Sequence, residues 1–263
     1  MATITSSGAV NQSITRVGRN EPFNLQVSRG QITGHSLVNI FGYGTTFATA
    51  GTFVALWELG STTQYVFPAS ATTMTLTGSA GDTASILISG LDSSYNPISE
   101  ILALNGATGV TTVNSYLRIN SMSVSSGSAT NPSGAVTLTN GGVTYAKINA
   151  NTSGTGSVGR TQMSIYTVPN GYTLYLDRFN GFTNYTQAGS NYVTYRALTT
   201  SSTGVQTILL NTPFINIYAI QREYPFGYAA KTDLQFQLAP SSTTAAVAGL
   251  NIEGILVLND GTL

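Results

Sequence analysis

Apolar residues along this chain recur in short runs with a period of two, broken by glycine, proline, asparagine and serine. The stretch Tyr166–Leu176, YTVPNGYTLYL, shows the pattern most clearly. Ile165 to Val168 reads as the end of one strand, and Pro169-Asn170-Gly171 as a tight turn, because proline presets φ and glycine accepts positive φ. Tyr172, Leu174 and Leu176 then alternate with Thr173, Tyr175 and Asp177, which gives a strand one apolar face. Together these predict a β-hairpin that opens a second β domain. Upstream, strands are predicted at 37–41, 52–59, 64–68, 72–77, 85–89, 98–104, 111–113 and 116–124. A hairpin is predicted over 136–148 across Asn140-Gly141-Gly142, a strong two-strand turn signal. Downstream, strands are predicted at 192–199, 205–210, 214–220 and 233–238. Residues 245–258 are expected to form a long strand or a strand pair, kinked near Gly249.

Strand signals at intervals of roughly 8–15 residues predict an all-β fold of sandwiches or barrels. The expected organisation is two β-sandwich domains, jelly-roll or Ig-like, covering 31–155 and 156–263. An extended N-terminal arm over 1–30 precedes them. The polar stretches 125–134 and 149–159 carry the expected boundary; read instead as surface loops, they would leave one larger domain. The arm is either a docking segment for a neighbouring subunit or a loose terminus.

Composition narrows the function. Only 8% of the residues are charged, and ten basic residues balance ten acidic ones. Typical soluble domains carry roughly 25% charge. With no Lys/Arg cluster, nucleic acid is not an expected partner. A net charge near zero gives little colloidal repulsion, which favours life inside an assembly. There is no cysteine, so disulfides and thiolate metal sites are excluded. No apolar run approaches the ~20 residues of a membrane-spanning helix. The first ten residues lack the basic and apolar regions of a secretory signal, so assembly in a cytoplasm is expected.

Few residues offer chemistry. His35 is the only histidine, so His-based triads and multi-His metal sites are unavailable; a surface or capping role is expected. Glu58 beside Trp57 is the best candidate for one member of a glycosidase-type carboxylate pair. The competing reading is a core tryptophan with Glu58 turned outward. Asp92, Asn96 and Glu100 surround a turn as oxygen donors, but an Asx-turn at Asp92 fits better than a Ca²⁺ loop. Tyr116, Tyr145, Tyr175, Tyr192, Tyr195, Tyr218, Tyr224 and Tyr228 fall in predicted strands. They either cover the core or present faces to sugars or partner subunits. Asn184-Tyr185-Thr186 matches a glycosylation acceptor without the secretory context that would give it meaning. No catalytic, cofactor or metal residue is assigned.

Several stretches gain meaning from their order: Trp57-Glu58, YVFP at 65–68, GLDSSYNPISEILALNG at 90–106, SYLRINSM at 115–122, YTVPNGYTLYL, EYPF at 223–226 and EGILV at 253–257. This series, across roughly residues 35–258, resembles a family of virion structural proteins of tailed bacteriophages, common in phages of marine cyanobacteria. The resemblance implies a non-enzymatic virion component with no cofactor. The expected role is a capsid decoration or cement protein bound to the major capsid protein or other virion proteins, as a homo-oligomer for which a trimer is the guess. A neck or tail component, as a fibre, receptor-binding protein or adaptor, is the alternative. A polysaccharide depolymerase is the distant one.

Overall fold

The computed structural model describes residues 21–45, 50–59, 64–125, 132–150, 159–184, 191–242 and 247–259. The regular structure of the described chain is almost all β-strand, as the alternating pattern predicts. One short helix, α1 (Phe23–Ser28), lies in the expected arm. Thus 21–30 is not extended, and residues 1–20 lie outside the described residues. Val27 is buried, Phe23 meets His35 edge-on at 5.9 Å, and Arg29 pairs with Glu21 at 2.6 Å.

Eight strands build one unit: β1 (His35–Thr45), β10 (Ile165–Thr167), β11 (Tyr172–Thr183), β12 (Val193–Thr200), β13 (Gln206–Phe214), β14 (Ile217–Tyr228), β15 (Asp233–Pro240) and β16 (Val247–Leu258). One sheet has the order β1-β16-β11-β14 and the other β10-β15-β12-β13. Numbered within the unit, that is 1-8-3-6 facing 2-7-4-5, the jelly-roll order. Both sheets turn their inner residues onto one core, which includes Ile40, Leu174, Phe179, Tyr195, Phe236 and Leu250.

The rest of the chain is inserted between the first and second strands of this unit. It holds β2 (Val54–Ala55), β3 (Thr75–Thr77), β4 (Ser85–Leu91), β5 (Pro97–Ala103), β6 (Val110–Thr111), β7 (Arg118–Val124), β8 (Val136–Asn140) and β9 (Val143–Ile148). The sheets β6-β3-β8-β9 and β5-β4-β7 share a second core, which includes Met74, Ile86, Tyr116, Met122 and Leu138. β2 pairs with β15, and its alternation serves both cores: Val54 and Leu56 enter the first, Ala55 and Trp57 the second.

This corrects the expected division at about residue 155. β1 pairs with β16 over eleven residues, His35↔Val257 through Thr45↔Val247, so the first strand belongs with the C-terminal ones. The alternation of 37–41 defines an apolar face but not the strand it pairs with. The hairpin expected at 165–176 is likewise only a turn. Tyr172 N–H donates to the Pro169 carbonyl at 3.2 Å and Gly171 has φ +79°, yet β10 and β11 enter different sheets. Residues 64–68 carry no strand, and β16 runs unbroken through Gly249. The 136–148 hairpin forms as expected, with Gly141 and Gly142 both at positive φ.

A buried ion pair joins the insert to the jelly roll. Arg118 on β7 donates to both carboxylate oxygens of Asp233 on β15, each at 2.8 Å. The guanidinium also donates to the carbonyls of Pro68 and Leu117, and lies 4.8 Å from the Phe67 ring centre. Thr167 donates its hydroxyl to the same carboxylate at 2.6 Å. Asn120 and the backbone of Thr167 exchange two hydrogen bonds beside it. Removing one partner strands a desolvated charge, so Asp233→Leu should lower unfolding free energy by about 3–5 kcal/mol. The Arg118→Met/Asp233→Leu double variant should lose much less than the sum of the singles. Urea unfolding of the three variants checks this, and additive losses would show that the two groups do not act as a pair.

Candidate functional site

None of the sequence candidates assembles into a catalytic centre. His35 opens β1 and its Nδ1 lies 3.0 Å from the Thr33 carbonyl, consistent with the capping role. Asp92 Oδ1 accepts from Ser94 N–H and Asn96 N–H, while Oδ2 accepts from Asn96 Nδ2. This is the expected Asx-turn. Glu100 stands three residue pairs up the β4–β5 ladder and accepts from Val113 N–H and Asn114 N–H instead. Among the described residues, no group of three or more His, Asp or Glu is placed to hold a metal. Asn184 accepts the Val247 N–H through its side chain; Tyr185 and Thr186 lie outside the described residues.

Trp57 is buried as expected and meets Tyr65 edge-on at 5.1 Å. Glu58 does not point outward, which corrects the sequence reading. Its Oε1 accepts the Gln162 N–H, and its Oε2 is shut off from solvent without a hydrogen bond, although the residue as a whole is only half-buried. Burial pushes this carboxyl from 4.5 up to about 8, against the backbone hydrogen bonds from Gln162 and Glu58 and the charge of Lys147. The raised value resembles that of a general acid. With Trp57 buried against Tyr65, however, the tryptophan offers no face to a sugar beside this carboxyl.

The tyrosines divide. Tyr116, Tyr145, Tyr195, Tyr218 and Tyr228 line the cores, whereas Tyr175, Tyr192 and Tyr224 are exposed. Sequence reasoning also missed Asp82. It accepts the backbone N–H and hydroxyl of both Ser79 and Ser133. Burial alone would raise the Asp82 carboxyl, but these donors hold it well below the ordinary carboxylate range.

Two surfaces stand out. The first is the side formed by β13 and β14, the outer strands of their two sheets. Val205, Ile208, Leu209, Ile215 and Ile217 are exposed there, Ile217 by 70%, and no charged residue occurs between Arg196 and Arg222. Free sheet edges are normally blunted by lysine, proline or bulges. This side carries Pro213 and a bulge opposite Ala197/Leu198 but no charge on β13. The second is the outer face of the β1-β16-β11-β14 sheet, where Asn39, Asn251, Glu253 and Arg178 form a hydrogen-bonded row.

Comparison with protein families and with curated proteins finds no match. Among solved structures, T=1 particles derived from infectious bursal virus are similar at 9% identity and a TM-score of 0.25, over 87% of this chain and 71% of that one. The D431N mutant of the VP2 protein of infectious bursal disease virus, also in derived T=1 particles, gives 11% identity and a TM-score of 0.25 over the same shares. At these scores the likeness carries no argument.

The sign of the Glu58 shift sets a prediction. A carboxyl that holds its proton in the fold and loses it in the unfolded chain stabilises below pH 4.5. That contribution declines as pH rises and is gone above about pH 8. Glu58→Gln should therefore gain melting temperature relative to the wild type across this window. A constant difference across the same pH series would show that Glu58 is ionised in the fold.

Proposed function

We propose that this chain is a non-enzymatic structural protein of a tailed-phage virion, acting as a decoration or cement protein on the head shell. The observation that carries this reading is the β13–β14 side, where exposed aliphatic residues line the charge-free stretch between Arg196 and Arg222. A protein free in solution gains nothing from leaving two sheet edges and a row of aliphatic side chains in water, while an assembly component buries them. Contiguous apolar patches of this kind mark interaction sites, and a lasting interface buries about 1,200 Å² or more. The ordered sequence series resembling phage virion proteins supports the same reading. So does the jelly-roll order, a scaffold used by viral capsid and lectin domains, although that support is by analogy of fold.

In this role the β13–β14 side meets the major capsid protein or another virion protein. Copies of the chain associate with one another, with a trimer as the working stoichiometry. Assembly takes place in the host cytoplasm. Neither nucleic acid nor membrane contact is required, and no helix among the described residues is long and apolar enough to cross a membrane.

Cryo-electron microscopy of intact virions tests the proposal. Density for this chain is expected on the head, at a copy number that follows the shell lattice, and an Ile208→Lys/Ile217→Lys variant is expected to fold but not to bind particles. Density confined to neck or tail would overturn the decoration role. Full particle binding by the variant would overturn the assignment of the β13–β14 side.

A further inference from the structure

We propose that the outer face of the β1-β16-β11-β14 sheet is a binding site for an extended oligosaccharide. Register places Asn39, Glu253, Arg178 and Gln221 side by side across the four strands, with Phe41, Asn251 and Asn180 in the next row. Asn39 Nδ2 donates to Asn251 Oδ1, Asn251 Nδ2 to Glu253 Oε1 at 3.1 Å, and Arg178 to Glu253 Oε2 at 3.0 Å. Arg160, from the segment returning out of the insert, donates to Asn39 Oδ1 at 3.1 Å and extends the row past the sheet edge. These bonds orient the row before any ligand arrives, and its side chains are exposed or half-buried on the sheet's outer face.

The polar row runs across the strands, and along β11 an aromatic ring flanks it on either side. On one side Phe182 occupies the space that a Cβ on Gly249 would take, and Tyr43 stands 6.3 Å from it. On the other side the Tyr175 ring closes over Gly227, its partner on β14. Because each ring rests on a glycine, it can lie low on the sheet and leave a face to solvent; Phe182 is 43% and Tyr175 37% exposed. Seven residues of strand separate the two rings, roughly 20 Å. Beside Asn39, Phe41 and Arg160 the face continues into a cavity of about 230 Å³, floored by Ile165 and Tyr166.

This arrangement fits a sugar chain better than a protein partner. Protein interfaces have an apolar centre and a polar rim, and here the order is reversed. A sugar offers C–H faces to ring faces and hydroxyls to amides and carboxylates, and an extended chain of about four residues spans two rings at this distance. Charge points the same way. Two arginines and one glutamate leave a single positive charge in the row, so a neutral chain fits, as does one with a carboxylate set against Arg160.

The test is titration of the intact purified chain with cellotetraose, chitotetraose and tetragalacturonate, read by calorimetry and by NMR shifts of labelled protein. At least one should bind, with shifts confined to this face. Affinity should fall about tenfold in Phe182→Ala and in Tyr175→Ala. Asn251→Ala breaks the row without touching either ring and should also weaken binding, which keeps the test valid if a ring variant fails to fold. Preference for tetragalacturonate that is lost in Arg160→Ala would place a carboxylate at the cavity. The inference is overturned if none of the three binds at millimolar concentration, if shifts map elsewhere, if the variants bind like the wild type, or if a second copy of the chain covers the face in solution. Ile217 is the cross-strand partner of Phe182 and so borders both surfaces, whereas Ile208 lies on β13 in the other sheet. Ile208→Lys alone should lose particle binding and keep sugar binding, which makes the two failures distinguishable.

Discussion

The Arg118–Asp233 pair is the constraint on which the relation between the two units depends. The guanidinium sits where β7, the Phe67 segment and β15 converge, and it spends its donors on a carboxylate and two carbonyls at once. A desolvated pair of this kind adds little net stability over a well-packed apolar substitute, but it is costly to half-remove and it tolerates little misplacement. Its value here is geometric. With Asn120 locked to the Thr167 backbone beside it, one edge of the insert is fixed against the jelly roll. That fixed edge lets residues from both units, such as Asn39 and Arg160, meet on one surface.

The insert departs from the jelly roll after β1 and returns at β10. Alternate residues of the β2 segment feed opposite cores, which couples the two units where the chain enters the insert. Ser164 reinforces the return. Its buried hydroxyl lies between the Leu56 and Phe236 carbonyls and accepts the Leu56 N–H. Asp82 and Glu58, which have no cationic partner at hydrogen-bond distance among the described residues, instead accept backbone N–H groups, those of Ser79 and Ser133 at Asp82 and that of Gln162 at Glu58.

How much was legible in the sequence varies by kind of feature. Strand existence was clear wherever two-residue alternation met a turn signal: Asn140-Gly141-Gly142 marks its hairpin because two positive-φ residues admit little else. The Asx-turn at Asp92 was readable because all its hydrogen bonds are local. Glu58 was misread because the backbone N–H it meets belongs to Gln162, 104 positions away. The oligosaccharide face was invisible for the same reason. Asn39 and Asn251 are 212 residues apart, and Gly249 reads as a strand breaker until Phe182 is seen above it.

By itself, then, the alternation of apolar and polar residues determined that this chain is all-β, and its composition determined that few charges are present to pair with one another or to blunt a sheet edge. Period and composition are local quantities, and local residues are enough to set them. Which strands pair was decided only by the tertiary structure. The chain at 165–176 shows the difference: its turn chemistry is intact, yet β10 joins β15 and β11 joins β16. A strand's exposed backbone groups accept any partner of compatible register, and the choice falls to whichever arrangement closes a core. Here that choice placed the first strand beside the last and made a jelly roll around an insertion.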